Sequence, residues 1–110
     1  MVVMLDLLEK IRKYIKDEKI QWRGHILSRM IQRRIKVSDV LTCLQNGEII
    51  EEYNDDYPYP SWLVLGYSNE KPFHIVCSIG EGYIWMITVY SPDGEQWSPD
   101  FKTRRNPNEV

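Results

Sequence analysis

Residues 61–90 read SWLVLGYSNEKPFHIVCSIGEGYIWMITVY, and this stretch decides the fold. Three runs, 61–67, 72–79 and 83–90, are apolar on both faces and rich in β-branched and aromatic residues, as central strands covered by helices are. The links Ser68-Asn69-Glu70-Lys71 and Gly80-Glu81-Gly82 are too short for a crossover, so neighbouring strands must pair antiparallel. Upstream, Glu48-Ile49-Ile50-Glu51-Glu52-Tyr53 has the charge of an edge strand that discourages pairing with another chain. Asn54 to Pro60, with two prolines and three turn-formers, is a loop. Downstream, Ser91-Pro92-Asp93-Gly94 is a turn, followed by a tail with Trp97 and Phe101 as anchors and a frayed end over 106–110.

Before residue 47 the period is helical. Met4, Leu7, Leu8, Ile11 and Ile15 make 3–18 an amphipathic helix. Lys19 to Arg23 reads as a connector, and a short helix follows from His25 to Arg33. Arg34 falls on the apolar side of that helix unless the helix has already ended. Ser38 is an N-cap candidate with Asp39 in the first turn, and the third helix stops at Asn46-Gly47. The expected fold class is α+β: N-terminal helices packed on a four-stranded antiparallel sheet in one domain, residues 1–110.

At 110 residues the chain buries roughly 65% of its unfolded surface and needs neither disulfide nor metal to fold. Asp6 and Glu9 interrupt the apolar N-terminus before a signal core forms, and no apolar run reaches membrane-span length. The expected setting is cytoplasmic. Cys43 and Cys77 lack the pairing of a zinc site and read as buried hydrophobes. The net charge of −2 is strongly segregated. Residues 1–46 carry ten Lys/Arg against five acids, whereas 47–100 carry only Lys71 against ten acids. Such a chain offers a polyanion one basic side, unless the two halves simply attract each other.

No phosphate-binding glycine loop, serine elbow, zinc-protease helix or calcium loop is present, and no cofactor or metal is expected. Two constellations remain. His25, Arg29 and Arg33 recur at every fourth position and share one helix stripe. Guanidiniums offer planar bidentate donors to phosphate, and imidazole moves protons near neutral pH; the alternative is a solvated face. In the sheet, a three-residue turn at Gly80-Glu81-Gly82 sets Ile79 against Tyr83 and His74 against Thr88. Tyr90 then lies within diagonal reach of His74 on the same face. That group is either a site or a hydrogen-bonded core histidine. Lys102, Arg104 and Arg105 form a small basic tail that reaches a backbone phosphate or serves solubility.

The order of landmarks resembles a known family. They run His25-x-x-x-Arg29-Met30-x-x-Arg33-x-Ile35, Ser38-Asp39-Val40 and Gly47-Glu48-Ile49-Ile50-Glu51-x-Tyr53. They continue through Pro58-x-Pro60-Ser61, Leu63-x-Leu65-Gly66, Pro72-x-His74-x-Val76, Ile87-Thr88-Val89-Tyr90, Pro92, Trp97 and Phe101-Lys102-x-Arg104-Arg105. Over about 20–105 this resembles the domain of unknown function 4258 family, which is similar to bacterial ribonuclease toxins of the RelE and BrnT type. The resemblance implies a RelE-like sheet, a prokaryotic cytoplasmic setting, no cofactor and an antitoxin partner, in some relatives a zinc-finger protein. It implies the toxin of a type II toxin-antitoxin pair: a metal-independent endoribonuclease in which a 2′-hydroxyl attacks the adjacent phosphodiester. His25, His74 and Tyr90 are then the catalytic candidates, and Arg29, Arg33, Arg104 and Arg105 hold RNA phosphate. The alternative is a non-catalytic module whose acidic strand, 48–53, docks a basic partner.

Overall fold

A computed structural model describes residues 2–105, with side chains from Asp6 onward. Three helices, α1 (Val2–Lys16), α2 (Ile26–Gln32) and α3 (Val37–Asn46), and five strands, β1 (Ile20–Trp22), β2 (Glu48–Tyr53), β3 (Ser61–Ser68), β4 (Lys71–Gly80) and β5 (Tyr83–Tyr90), make an α+β fold. The sheet order is β1-β5-β4-β3-β2. The pairs β2/β3, β3/β4 and β4/β5 are antiparallel, while β1 runs parallel to β5. The expected four-stranded antiparallel sheet is therefore a five-stranded mixed one. The added strand is three residues from the segment that reads as a connector. Ile-Gln-Trp is too short to declare a period and is a strand because the edge of β5 offers it a ladder. β2 lies at the opposite edge, as its charges suggest.

Two hairpins fix the register. Asn69 and Glu70, and then Glu81 and Gly82, all have φ between 52° and 83°. These are two-residue turns whose twist matches that of the flanking strands. Gly80 consequently pairs with Tyr83, and a bulge between Val76 and Cys77 on the β5 ladder shifts the register again. His74 lies directly opposite Tyr90, not Thr88. The expected three-residue turn is one residue too long, and the bulge adds the second residue of the shift.

The helices cover one face of this sheet. Val64, Phe73, Ile75, Cys77, Ile84, Met86 and Val89 project into a core with Ile11, Ile26, Met30, Val40, Cys43 and Leu44. Gly66 lets α3 approach β3: a Cβ there would lie 2.4 Å from the carbonyl oxygen of Cys43. On the other face Leu63, Leu65, His74 and Trp97 are also buried. Here the C-terminal segment folds back over the sheet, closed by a bridge between Trp97 and Arg104.

The link from α2 to α3 is set by backbone capping. Ile35 N–H donates to Met30 O at 2.8 Å and Arg34 N–H to Ile31 O at 3.1 Å, with Arg34 at φ 58°. This is the left-handed helix end that glycine usually occupies. It resolves Arg34: the helix has ended, and the side chain leaves for solvent. α3 begins at Val37, before the start that a Ser38 cap implies. The Asp39 carboxylate accepts the Lys36 N–H at 2.9 Å and so closes the helix start from inside. That bond and the Ser68 hydroxyl, at 2.7 Å, hold the Asp39 carboxyl below its ordinary range. The expected frayed end, 106–110, lies outside the described residues.

Candidate functional site

The first group belongs to α2. Ile26 and Met30 are buried beneath it, which turns His25, Ser28, Arg29, Gln32 and Arg33 to one side, where they line an open hollow of about 440 Å³. His25 stands at the N-terminal boundary of the helix and its carbonyl accepts the Ser28 hydroxyl at 3.0 Å. Arg33 is partly committed: its Nη1 donates to Val89 O at 2.7 Å. β1 covers β5 only as far as Met86, so this guanidinium satisfies a carbonyl on the uncovered edge beyond it. A guanidinium has five donors, and the remaining ones stay available to a ligand. Among the described residues the salt bridges are Lys102–Glu48 and Arg104–Glu51. None of the α2 cations joins an acid of the sheet half.

The second group lies on the other face. His74 is 0% exposed. Its Nε2 lies 2.8 Å from Phe101 O and its Nδ1 lies 3.1 Å from the Tyr90 hydroxyl. A carbonyl can only accept, so Nε2 carries the proton and Nδ1 accepts from Tyr90. Burial favours this neutral imidazole, in which both nitrogens are occupied. Trp97 stands edge-on to it at 4.4 Å between centroids. Burial pushes the His74 pKa down, opposed by the Phe101 carbonyl and the Glu51 carboxylate. Burial likewise raises the Tyr90 hydroxyl.

Around this histidine runs a second layer that the sequence did not announce. Arg104 stacks over Trp97 at 4.7 Å and donates to both Glu51 oxygens at 2.9 and 3.1 Å. The Tyr53 hydroxyl donates to the same carboxylate. Burial works to raise the Glu51 carboxyl, but the hydrogen bonds from Arg104 and Tyr53 outweigh it and leave its pKa lowered. The Tyr53 hydroxyl, partly buried beside that carboxylate, is pushed up to about 12. Arg105 reaches back to the Gly94 and Trp97 carbonyls at 2.8 Å and so staples the tail.

The candidates therefore divide. His25, Arg29 and Arg33 come together on α2; His74, Tyr90 and Arg104 come together on the opposite face; Arg105 is engaged with its own loop. The Val89 carbonyl bound by Arg33 adjoins Tyr90 in sequence, but their side chains face opposite ways. Glu51, Tyr53 and Trp97 complete the second group. All three stand among the landmarks of the family resemblance, and Trp97 reads as an anchor, but their grouping around His74 was not legible, since Arg104 lies 53 residues beyond Glu51. Among the described residues no three His, Cys, Asp or Glu side chains gather as metal ligands, and no helix is long and apolar enough to cross a membrane.

No curated protein and no solved structure matches the chain. One family model does, over residues 22–91, a span that begins at the last residue of β1, contains both groups of candidates except the tail, and ends just after β5. The chain belongs to the family described as Domain of unknown function (DUF4258).

Proposed function

We propose that the protein binds RNA through the exposed stripe of α2 and acts there as the toxin of a type II toxin-antitoxin pair. The observation that carries this reading is the hollow lined by His25, Arg29 and Arg33, whose cations have no carboxylate partner among the described residues. Two guanidiniums beside an imidazole suit a phosphodiester. The guanidiniums neutralise the charge that develops on the phosphorane oxygens, and the imidazole moves a proton. In the proposed cleavage the 2′-oxygen bonds to phosphorus as its proton passes to a base. The bond to the 5′-oxygen breaks as that oxygen takes a proton from solvent water, leaving a 2′,3′-cyclic phosphate and a 5′-hydroxyl. His25 is the base in this scheme, and Arg29 and Arg33 hold the phosphate. His74 takes no part, because it is buried and both its nitrogens are engaged; Tyr90 and Arg104 shape the support around it. A RelE-like ancestry, a cytoplasmic setting and an antitoxin partner of the zinc-finger type accompany the reading through the family resemblance.

A second reading is favoured by the separation of the two histidines: binding of RNA without cleavage, since only one imidazole stands beside the arginines. The acidic strand offers less to a basic partner, because Glu48 and Glu51 are already paired with Lys102 and Arg104. Induction in a bacterial host, with and without the adjacent gene, separates the readings. Growth arrest with RNA ending in cyclic phosphate, both lost in His25→Ala and Arg29→Ala, supports cleavage. RNA that co-purifies intact with the wild-type protein supports binding alone.

A further inference from the structure

The other side of α2 carries an apolar surface that the phosphate stripe does not use. Met30 and Ile35 form the floor of a groove of about 490 Å³. Leu27, Ile31 and Val37 stand along it with 44%, 77% and 42% of their surfaces exposed. Leu27 and Ile31 are one helical turn apart, and Val37 opens α3, so the groove runs from one helix to the start of the next. Its walls end in Arg34 and Lys36. The left-handed turn at Arg34 creates this shape: it ends α2 abruptly and brings Ile35 beneath the opening of α3.

Charge identifies the occupant. Residues 23–36 contain Arg23, Arg29, Arg33, Arg34 and Lys36 and no acid, and none of the five enters a salt bridge among the described residues. A second copy of the chain meeting this groove face to face sets Arg34 and Lys36 against the same two cations. Of the three carboxylates that a second copy would bring from β2, Glu48 and Glu51 are held by its own Lys102 and Arg104, which leaves Glu52 alone against the two cations. A membrane surface is met by apolar side chains on a convex ridge, whereas these line a hollow between two helices. We propose that this groove binds an amphipathic helix of a partner protein, one with apolar side chains on one face and Asp or Glu at its borders. Its apolar ridge covers Leu27, Ile31 and Val37, and its carboxylates pair with Arg34 and Lys36. This holds whether or not the neighbouring stripe contacts RNA.

The probe is a synthetic amphipathic peptide with leucines on one helical face and glutamates at the borders, titrated against the full chain by fluorescence anisotropy. Saturable binding is expected, at least about tenfold weaker in Ile31→Ser, because an exposed side chain that becomes buried contributes on that scale. Arg34→Glu with Lys36→Glu should weaken it and let a lysine-bordered peptide bind instead. Ile31 is exposed, so Ile31→Ser should fold normally, and thermal unfolding by circular dichroism checks this. Absence of binding, or equal binding of glutamate- and lysine-bordered peptides, overturns the proposal. So does self-association in sedimentation that Ile31→Ser abolishes, or Ile31-dependent binding to phosphatidylglycerol vesicles in place of the peptide.

Discussion

His74 is buried and His25 exposed, and replacing each by alanine separates them. His74→Ala removes a fully buried ring, the partner of the Phe101 carbonyl at 2.8 Å, the acceptor for Tyr90 at 3.1 Å and the edge-on neighbour of Trp97. Truncating a ring at a buried site costs about 2–4 kcal/mol. The Phe101 carbonyl, left without its donor, adds about 1 kcal/mol, while half-exposed Tyr90 can turn to water. The expected cost is about 3–5 kcal/mol, a large part of the stability of a domain this size. His25→Ala, at an exposed helix boundary, should stay within about 0.5 kcal/mol. Urea unfolding at pH 7.5 followed by tryptophan fluorescence reads both, since Trp97 lies against the His74 ring. The pH dependence adds a second readout. Burial lowers the His74 pKa below its usual 6.5, so below that pH the unfolded chain binds a proton that the folded one refuses. Stability from this residue is complete above 6.5 and falls as the pH drops from there toward the folded value. His74→Phe should remove that slope. A His74→Ala cost below about 1 kcal/mol, or a His25→Ala cost of similar size, refutes the assignment.

Gly66→Ala should destabilise the fold by several kcal/mol or prevent folding, because the new methyl meets backbone atoms of Cys43 at 2.4–2.5 Å and two packed elements must separate. Gly94→Ala, with nothing within 4 Å of the added carbon, is the neutral control. Burial pushes the Cys43 and Cys77 thiols up to about 12, so neither should react with iodoacetamide at pH 8 until urea unfolds the chain, and two labels should then appear by mass spectrometry. Arg34→Gly should raise the urea midpoint by the equivalent of about 1 kcal/mol, since glycine takes the φ 58° of that helix end without strain. An unchanged or lower midpoint would contradict the capping geometry.

The strands at 61–90 were legible because their apolar runs need cover on both faces and their links are too short to cross over. That His74 and Tyr90 share a face followed from a three-residue turn, and it holds because the shorter turn and the bulge each shift the register by one residue. Their direct pairing was not legible. A turn containing Glu81 and Gly82 looks the same in sequence whether it holds two residues or three, and nothing in Val76-Cys77 or Ile87 marks a bulge. β1 was hidden by its length, and Asp39 displaced the expected Ser38 cap by reaching back to Lys36. The α2 stripe was readable because it repeats at a fixed helical spacing. The layer of Glu51, Tyr53, Trp97 and Arg104 depends on how the tail returns over the sheet, which no local pattern encodes. The same return explains why His74 serves as a support and leaves the exposed imidazole at position 25 alone with the arginines.

The central claim is that α2 meets RNA phosphate, and salt dependence tests it most directly. A fluorescent single-stranded RNA oligonucleotide is titrated with wild-type, Arg29→Ala and Arg104→Ala protein over a range of salt concentrations. Removing one guanidinium that neutralises a phosphate should reduce the slope of log affinity against log salt by about 0.7. That reduction is expected for Arg29→Ala, and an unchanged slope for Arg104→Ala, whose guanidinium is held by Glu51. Equal slopes for wild type and Arg29→Ala, or a reduction confined to Arg104→Ala, would contradict it.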